Sequence, residues 1–205
     1  MYENNSSEKE IYQELISLGK SKDTPDVLIL KTAKYLDHPS KKVQAKVLWM
    51  LGEFGLKNPK GITPYVNKIA NKLKSKDAKI RQRAVVALGR IGRGNFNIIA
   101  PYISMILSKS DDPNPDIRMN FIWACENIAT TSPNVFNSSM GIFAKLLDDT
   151  GIRVRRESPE IFRVIGKKIP NFVTPYIPKL KAISENDPDD VVRIHAAGAI
   201  KASTT

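Results

Sequence analysis

The feature that most constrains the fold of this chain is an apolar residue that recurs at a nearly constant interval. The interval is 37 residues for the first four copies and 38 for the fifth, at Val43, Ile80, Ile117, Val154 and Val192. We call these five residues the anchors. Self-similarity at this period is typical of repeat proteins, in which each unit packs on its neighbours. The spacing therefore predicts a stack of similar units.

The segment around the second anchor shows what each unit contains. Read as a helix, Asp77–Gly92 places Ile80, Ala84, Leu88 and Ile91 on one face. Asp77 is positioned to cap the first turn, because its carboxylate can accept from backbone N–H groups there. We call this second helix of each repeat the B helix. It carries a single apolar stripe that only neighbouring helices can cover.

A second periodic feature marks the first, or A, helix of each repeat. Pro–Tyr pairs occur at Pro64, Pro101 and Pro175, separated by 37 and then 74 residues, and apolar residues follow each pair. Because proline suits the first turn of a helix, we expect these pairs to begin the A helices. Each repeat is thus predicted to be a helix–turn–helix unit.

The repeats predict one continuous domain behind an N-terminal capping helix. Ser7 and Glu10 have the spacing of a capping box, so residues 1–24 are assigned to that helix. Residues 25–205 are assigned to five repeats, at about 25–57, 58–94, 95–132, 133–170 and 171–205. In the fourth repeat Pro159 falls inside the B helix, where we expect a kink near Arg155–Ser158 or a helix that restarts at Ser158.

The pattern Asp-x-x-Ile-Arg-x-x-Ala-x-x-Ala-Leu-Gly-x-Ile-Gly at Asp77–Gly92 resembles the HEAT repeat, in particular the HEAT-like repeats of phycobilisome-lyase type. The resemblance covers nearly the whole chain. It implies an all-α fold, a right-handed α-α superhelix of the ARM/HEAT-like solenoid class, with five helix pairs plus the capping helix. It also implies that the B helices line the concave side. Because HEAT proteins mostly act as scaffolds and adaptors, the resemblance implies protein–protein interaction.

Positive charge is concentrated in one repeat. The chain has a net charge of +11, and residues 59–94 contain ten Lys and Arg against the single acidic residue Asp77. A patch of one sign attracts a partner of the opposite sign and speeds association. The sequence therefore indicates an acidic partner, although charge alone leaves protein and nucleic acid both open.

The B helices contain the candidate binding residues. Positions one before, and three, six and ten after, each anchor share the face opposite the core. In the first three repeats this face carries basic and aromatic side chains, namely Lys42, Lys46, Trp49, Lys79, Arg83, Arg90 and Trp123. Basic residues beside tryptophan suit an acidic peptide or helix, and they also suit the phosphates and unstacked bases of nucleic acid. Packing of both rings against neighbouring helices is the alternative.

A row of arginines follows the anchors directly, at Arg81, Arg118, Arg155 and Arg193. The row could bind an anion. In proteins that this chain resembles, however, the equivalent arginine commonly pairs with acidic groups and carbonyls at the turn of an adjacent repeat. We therefore expect a structural role for these four residues.

The tryptophans on the B helices also suggest one enzymatic interpretation. HEAT-like alkylpurine DNA glycosylases use a concave tryptophan with an aspartate about one turn later. Here Trp49 is followed by Glu53 and Trp123 by Asn127, so neither tryptophan has the aspartate. We expect a scaffold and not an enzyme, and keep a nucleic-acid-binding protein, including such a glycosylase, as the alternative.

The sequence also leads us to expect that several kinds of site are absent. Cys125 is the single cysteine and His38 and His195 are far apart in sequence, so neither a disulfide nor a metal site is expected. No glycine-rich phosphate loop joins a strand to a helix, and we expect no cofactor and no small-molecule substrate. The sequence contains no apolar run of membrane-spanning length and begins with polar residues. We therefore expect no membrane association and a cytoplasmic protein.

Overall fold

The structure is a computed structural model that describes residues 7–204; residues 1–6 of the predicted capping segment and Thr205 of the fifth repeat lie outside it. Across the described residues the regular elements are α- and 3-10 helices, with no strand. The chain divides between Tyr102 and Ile103 into two compact units. Since this boundary falls within the third repeat, the assignment of residues 25–205 to one continuous domain stays a prediction.

The first unit begins with the N-terminal capping helix that the sequence predicts. Ser7 Oγ accepts from Glu10 N at 3.3 Å, and Ser7 N donates to the Glu10 carboxylate at 2.7 Å, which completes the capping box. The α-helices of this unit are α1 (Glu8–Lys20), α2 (Pro25–Ala33), α3 (Lys41–Lys57), α4 (Pro59–Ile62), α5 (Val66–Asn71), α6 (Ala78–Gly94) and α7 (Phe96–Ile99). The B helices α3 and α6 pack along each other.

The second unit repeats this arrangement. Its α-helices are α8 (Ile103–Leu107), α9 (Pro115–Ala129), α10 (Met140–Leu146), α11 (Ile152–Gly166), α12 (Pro170–Val173), α13 (Ile177–Asn186) and α14 (Asp190–Thr204). The B helices α9 and α14 both pack on α11. Phe143 lies at the centre of an aromatic cluster, with ring centroids 5.9 Å from Phe121 and 5.5 Å from Phe136. The core of this unit is thus partly aromatic.

The five anchors hold the same place in their helices. Val43, Ile80, Ile117, Val154 and Val192 are all fully buried. Each is the third residue of its B helix. The interval of 37 or 38 residues that predicted the stack is therefore the interval between equivalent buried positions in successive B helices.

The A helices do not begin where the sequence predicted. The Pro–Tyr pairs lie inside 3-10 turns, Thr63–Tyr65, Ala100–Tyr102 and Thr174–Tyr176, that follow a short α-helical turn. A proline has no N–H to continue an α-helix, and the tighter turn accommodates that loss. Thr63 Oγ1 donates to Pro59 O at 3.2 Å and Thr174 Oγ1 to Pro170 O at 3.1 Å, which satisfies a carbonyl just before the turn.

The B helix of the fourth repeat runs through its proline. α11 continues uninterrupted from Ile152 to Gly166 with Pro159 inside it. The predicted restart at Ser158 is therefore wrong, whereas the alternative of a kink near Arg155–Ser158 stays a prediction. Ser158 is fully buried, and its Oγ is within hydrogen-bonding distance of Val154 O (2.7 Å) and Leu146 O (2.9 Å). These contacts tie the turn before the proline to the preceding A helix.

Candidate binding pocket

A pocket of about 450 Å³ lies on the first unit where α1, α3 and α6 meet. Five of its lining side chains are cations, none is a carboxylate, and two are aromatic. We call it the basic pocket and define it by Tyr12, Lys41, Lys42, Ala45, Lys46, Trp49, Lys79 and Arg83. The positive potential of a concave surface with no compensating acid favours an anionic ligand.

Helical periodicity brings these side chains together. On α3, Lys42, Lys46 and Trp49 are separated by four and three residues, so they follow one another along a single face. On α6, Lys79 and Arg83 are again four residues apart. Because α3 packs along α6, the two rows meet across the helix pair.

Two lysines of the basic pocket make cation–π contacts with aromatic rings and have no carboxylate partner in the described part of the chain. Lys46 Nζ lies 4.5 Å from the centroid of the Trp49 ring, and Lys42 Nζ lies 4.6 Å from the centroid of the Tyr12 ring. A ring attracts a cation without neutralising its charge. Burial and the neighbouring positive charge of Arg83 lower the pKa of Lys46. The like charges in this pocket therefore repel one another, and an anion would relieve that repulsion.

Several other cations of the first unit form ion pairs with carboxylates. Lys72 Nζ is 2.8 Å from an Asp37 carboxylate oxygen, and Lys68 Nζ is 3.4 Å from the other oxygen. Arg90 forms an ion pair with Glu53. In contrast, Lys42, Lys46 and Arg83 form no ion pair with any residue in 7–204. The basic pocket thus contains cations whose charge is available to a partner.

The structure brings together five of the seven predicted binding residues: Lys42, Lys46, Trp49, Lys79 and Arg83. Arg90 lies on the same face of α6, but its guanidinium pairs with Glu53. Trp123 belongs to α9 of the second unit. Sequence reasoning missed Tyr12 and Lys41; the helical pattern placed Tyr12 on the capping helix but gave no sign of which B helix it meets.

The arginines after the anchors contact the turns that precede their helices. In every case a guanidinium nitrogen donates to the carbonyl six residues earlier: Arg81 to Ser75 (2.9 Å), Arg118 to Asp112 (2.8 Å), Arg155 to Asp149 (2.9 Å) and Arg193 to Asp187 (2.6 Å). Gln44, in the same position of the first repeat, donates to His38 O at 2.6 Å. The side chain thereby fixes the turn between the A and B helices.

Two of these arginines also reach the next repeat. Arg118 donates to both carboxylate oxygens of Asp149 at 2.7 Å, and the pair is largely buried. Arg155 Nε is 3.6 Å from an Asp187 carboxylate oxygen. The bidentate geometry of Arg118 leaves little of its guanidinium available to a ligand.

The second unit carries a cluster of carboxylates on its B helices α9 and α11. Glu126 of α9 is largely buried, and burial together with Glu157 and Glu160 of α11 raises its pKa to about 9. Arg163 Nε donates to Glu160 at 2.7 Å. A pKa raised this far favours the protonated, neutral form of the Glu126 carboxyl.

His195 of α14 borders the same cluster. Its Nδ1 lies 2.6 Å from Arg156 O and 3.6 Å from a Glu160 carboxylate oxygen. The sequence showed no partner for His195 in its own helix. Its partners come from α11, 35 and 39 residues earlier in the chain.

In residues 7–204, no group of three or more His, Cys, Asp or Glu side chains has an arrangement that could hold a metal ion. Cys125 is buried, which raises the pKa of its thiol well above the ordinary value. No helix in this range is both long and apolar enough to cross a membrane.

Comparison with known proteins supports the repeat assignment. The family described as Cnd1, non-SMC mitotic condensation complex subunit 1, matches residues 42–186. A search of curated proteins found no match.

Similar solved structures include designed armadillo repeat proteins. One, in complex with the peptide (KR)4, is 19% identical with a TM-score of 0.71 over 98% of this chain and 96% of its own. Another, computationally designed for modular peptide recognition, is 18% identical with a TM-score of 0.66 over 97% and 95%. The prediction of an all-α ARM/HEAT-type solenoid is confirmed.

Proposed function

Because this chain belongs to the Cnd1 family, whose description names a subunit of a complex, we propose that it is a non-catalytic scaffold. In this proposal it binds an acidic protein segment through the concave face of its B helices. The basic pocket is the centre of the binding surface. Lys79 and Arg83 supply the positive potential, and Trp49 supplies contact area.

The observation that carries the proposal is the composition of the basic pocket. Five cations line it without a carboxylate among them, while Asp37 and Glu53 neutralise other cations of the same unit. Keeping like charges close together costs electrostatic energy. A bound carboxylate cluster would recover that energy, which is the physical basis proposed for recognition.

An acidic peptide is favoured over nucleic acid for two reasons. Lys46 lies over the Trp49 ring, so that ring does not offer two open faces for stacking on unpaired bases. The designed armadillo protein of similar fold is in complex with a basic peptide, (KR)4. The basic pocket of this chain has the same sign of charge as that peptide, so by complementarity we assign it an acidic peptide.

The absence of catalysis is part of the proposal. In a glycosylase, the carboxylate one turn after Trp49 would have to face the substrate. Glu53 is instead paired with Arg90 of the neighbouring B helix. That contact supports a structural role for the carboxylate.

The proposal is tested with a labelled deca-glutamate peptide titrated with the protein at low and high salt. We expect saturable binding that weakens at least tenfold between 50 and 200 mM salt, since exposed charges are screened over about 10 Å. The double variant Lys79→Glu plus Arg83→Glu should abolish it. Arg90 is left unchanged in this design, because replacing it would leave Glu53 without its partner.

The control is a second double variant that changes the net charge of the protein by the same amount as Lys79→Glu plus Arg83→Glu. Lys167→Glu plus Lys181→Glu reverses two exposed lysines of the second unit and should bind the peptide about as well as the unaltered protein. Equal loss in both variants, or no binding at low salt, would overturn the proposal. Binding of a single-stranded oligonucleotide of equal charge at least tenfold tighter than the peptide would replace it with the nucleic-acid alternative.

A further inference from the structure

A second pocket adjoins the basic pocket and has a different character. It has a volume of about 400 Å³ and lies between α1 and α3. Its apolar lining comes from Ile16 of α1 and from Met50 and Phe54 of α3. We call it the α1–α3 pocket. It is formed by residues of the first unit, and sequence reasoning assigned none of these three to a site.

The two pockets form one continuous surface. Lys46 and Trp49 line both of them, so the indole lies between a cationic region and an apolar region. Lys20 and Lys57 add positive charge to the α1–α3 pocket, and its one carboxylate, Glu53, is paired with Arg90. A ligand that fits the whole surface therefore combines negative charge with an apolar group.

From this juxtaposition we infer that the partner segment carries a carboxylate cluster and, about four residues away, one bulky apolar side chain that enters the α1–α3 pocket. The inference rests on the proposed function and specifies its partner. Lys46 and Phe54 are eight residues apart on α3, which corresponds to ~12 Å along a helix. An extended peptide covers that distance in about four residues.

The apolar group contributes binding affinity that the charged groups alone do not provide. Exposed ion pairs contribute little affinity and are screened by salt. Burying one large apolar side chain contributes enough to tighten binding about tenfold or more. Binding energy in protein interfaces also concentrates at residues such as tryptophan, tyrosine and arginine, and Trp49 lines this pocket. The carboxylates thus direct the segment to the surface, and the apolar side chain holds it there.

The inference is tested with three labelled peptides of identical charge. The first, Glu-Glu-Glu-Gly-Ser-Gly-Phe, has the anchor at the inferred spacing. The second replaces Phe by Gly, and the third, Glu-Glu-Glu-Phe-Gly-Ser-Gly, places Phe next to the acids. We expect the first to bind the full-length protein about tenfold more tightly than the second, and at least threefold more tightly than the third.

A substitution inside the α1–α3 pocket isolates the apolar contribution. Gly19 lines this pocket, and a Cβ atom added there would meet nothing within 4 Å. Gly19→Gln should therefore fold normally and obstruct the pocket, leaving less than a threefold difference between the first two peptides. Gly141→Gln of α10, where an added Cβ is equally unobstructed, is the matched control and should keep the tenfold difference. Ile16→Ala provides a second test, since it removes apolar lining instead of filling space.

Failure of the inference is distinguishable from failure of the proposed function. Equal binding of the first two peptides, or a tenfold preference that survives both Gly19→Gln and Ile16→Ala, would overturn the apolar anchor while the charge-dependent binding stands. Absence of binding by all three peptides at low salt would overturn the proposed function itself. Tighter binding of the third peptide would overturn the inferred spacing.

Discussion

Gly52 of α3 lies against the backbone of Ala87 of α6, and a Cβ atom at position 52 would be 2.8 Å from the Ala87 Cα atom. Carbon atoms do not approach so closely without displacement of one of the two helices. The absence of a side chain at Gly52 therefore sets how near the two B helices of the first unit can lie. Because the cations of the basic pocket come from both helices, this contact also sets their separation.

Gly52→Ala is predicted to destabilise the protein. The substitution raises helix propensity by about 1 kcal/mol, but the added methyl group would force the packed helices apart, at a typical cost of about 1–3 kcal/mol. We expect a lower midpoint in urea denaturation followed by circular dichroism.

Gly19→Ala is the control for that measurement. Position 19 has open space for a Cβ atom, so only the propensity gain applies, and a stability gain of up to about 1 kcal/mol is expected. Equal gains at the two positions would contradict the close approach of α3 and α6.

Glu126 is predicted to make stability depend on pH. Its pKa is raised from 4.5 to about 9 by burial and by Glu157 and Glu160, and Arg163 opposes the shift. The folded chain therefore keeps a proton that the unfolded chain releases, and stability falls as the pH rises between these two values. At pH 7 the cost is up to about 3 kcal/mol.

Glu126→Gln removes this titration and keeps the shape of the side chain. The variant should be more stable than the unaltered protein, by an amount that grows from pH 5 to pH 9, as measured by thermal melts across that range. Glu185→Gln, at an exposed position, should shift stability by less than about 0.5 kcal/mol throughout. If the difference in stability between Glu126→Gln and the unaltered protein stays constant with pH, the Glu126 carboxyl does not keep its proton in the folded chain.

The arginines that follow the anchors are predicted to differ from surface arginines in their contribution to stability. Arg118→Ala leaves Asp149 without its bidentate partner in a largely buried place, and a loss of about 2–4 kcal/mol is expected. Arg153→Ala breaks the pair with Asp116, in which both side chains are more than half exposed, and should cost less than about 1 kcal/mol. Similar losses in chemical denaturation would argue against a structural role for Arg118.

The buried face of this protein was predictable because it is periodic. The five anchors recur in sequence and are fully buried in the structure, and the capping box at Ser7 and Glu10 forms as predicted. These features depend on residues close in sequence or on a repeated spacing, so the chain itself contains the information.

Other features depend on contacts between helices, and local sequence patterns do not predict these contacts. Glu53 meets Arg90 from the next repeat, and Tyr12 meets Lys42 across α1 and α3. Glu126 occupies the position of Gly52 two repeats later, yet its burial becomes clear only once α11 is packed against α9. The backbone turns at the Pro–Tyr pairs were mispredicted because proline suits a 3-10 turn as well as a helix start.

Trp49 emission gives the most direct test of the account, because the ring lines both the basic pocket and the α1–α3 pocket. In a Trp123→Phe background, Trp49 is the single tryptophan, and its fluorescence is recorded while deca-glutamate is added at low salt. We predict a saturable change in emission that disappears in the Lys79→Glu plus Arg83→Glu variant. If the peptide binds and Trp49 emission stays constant, the binding surface lies elsewhere and the account is wrong.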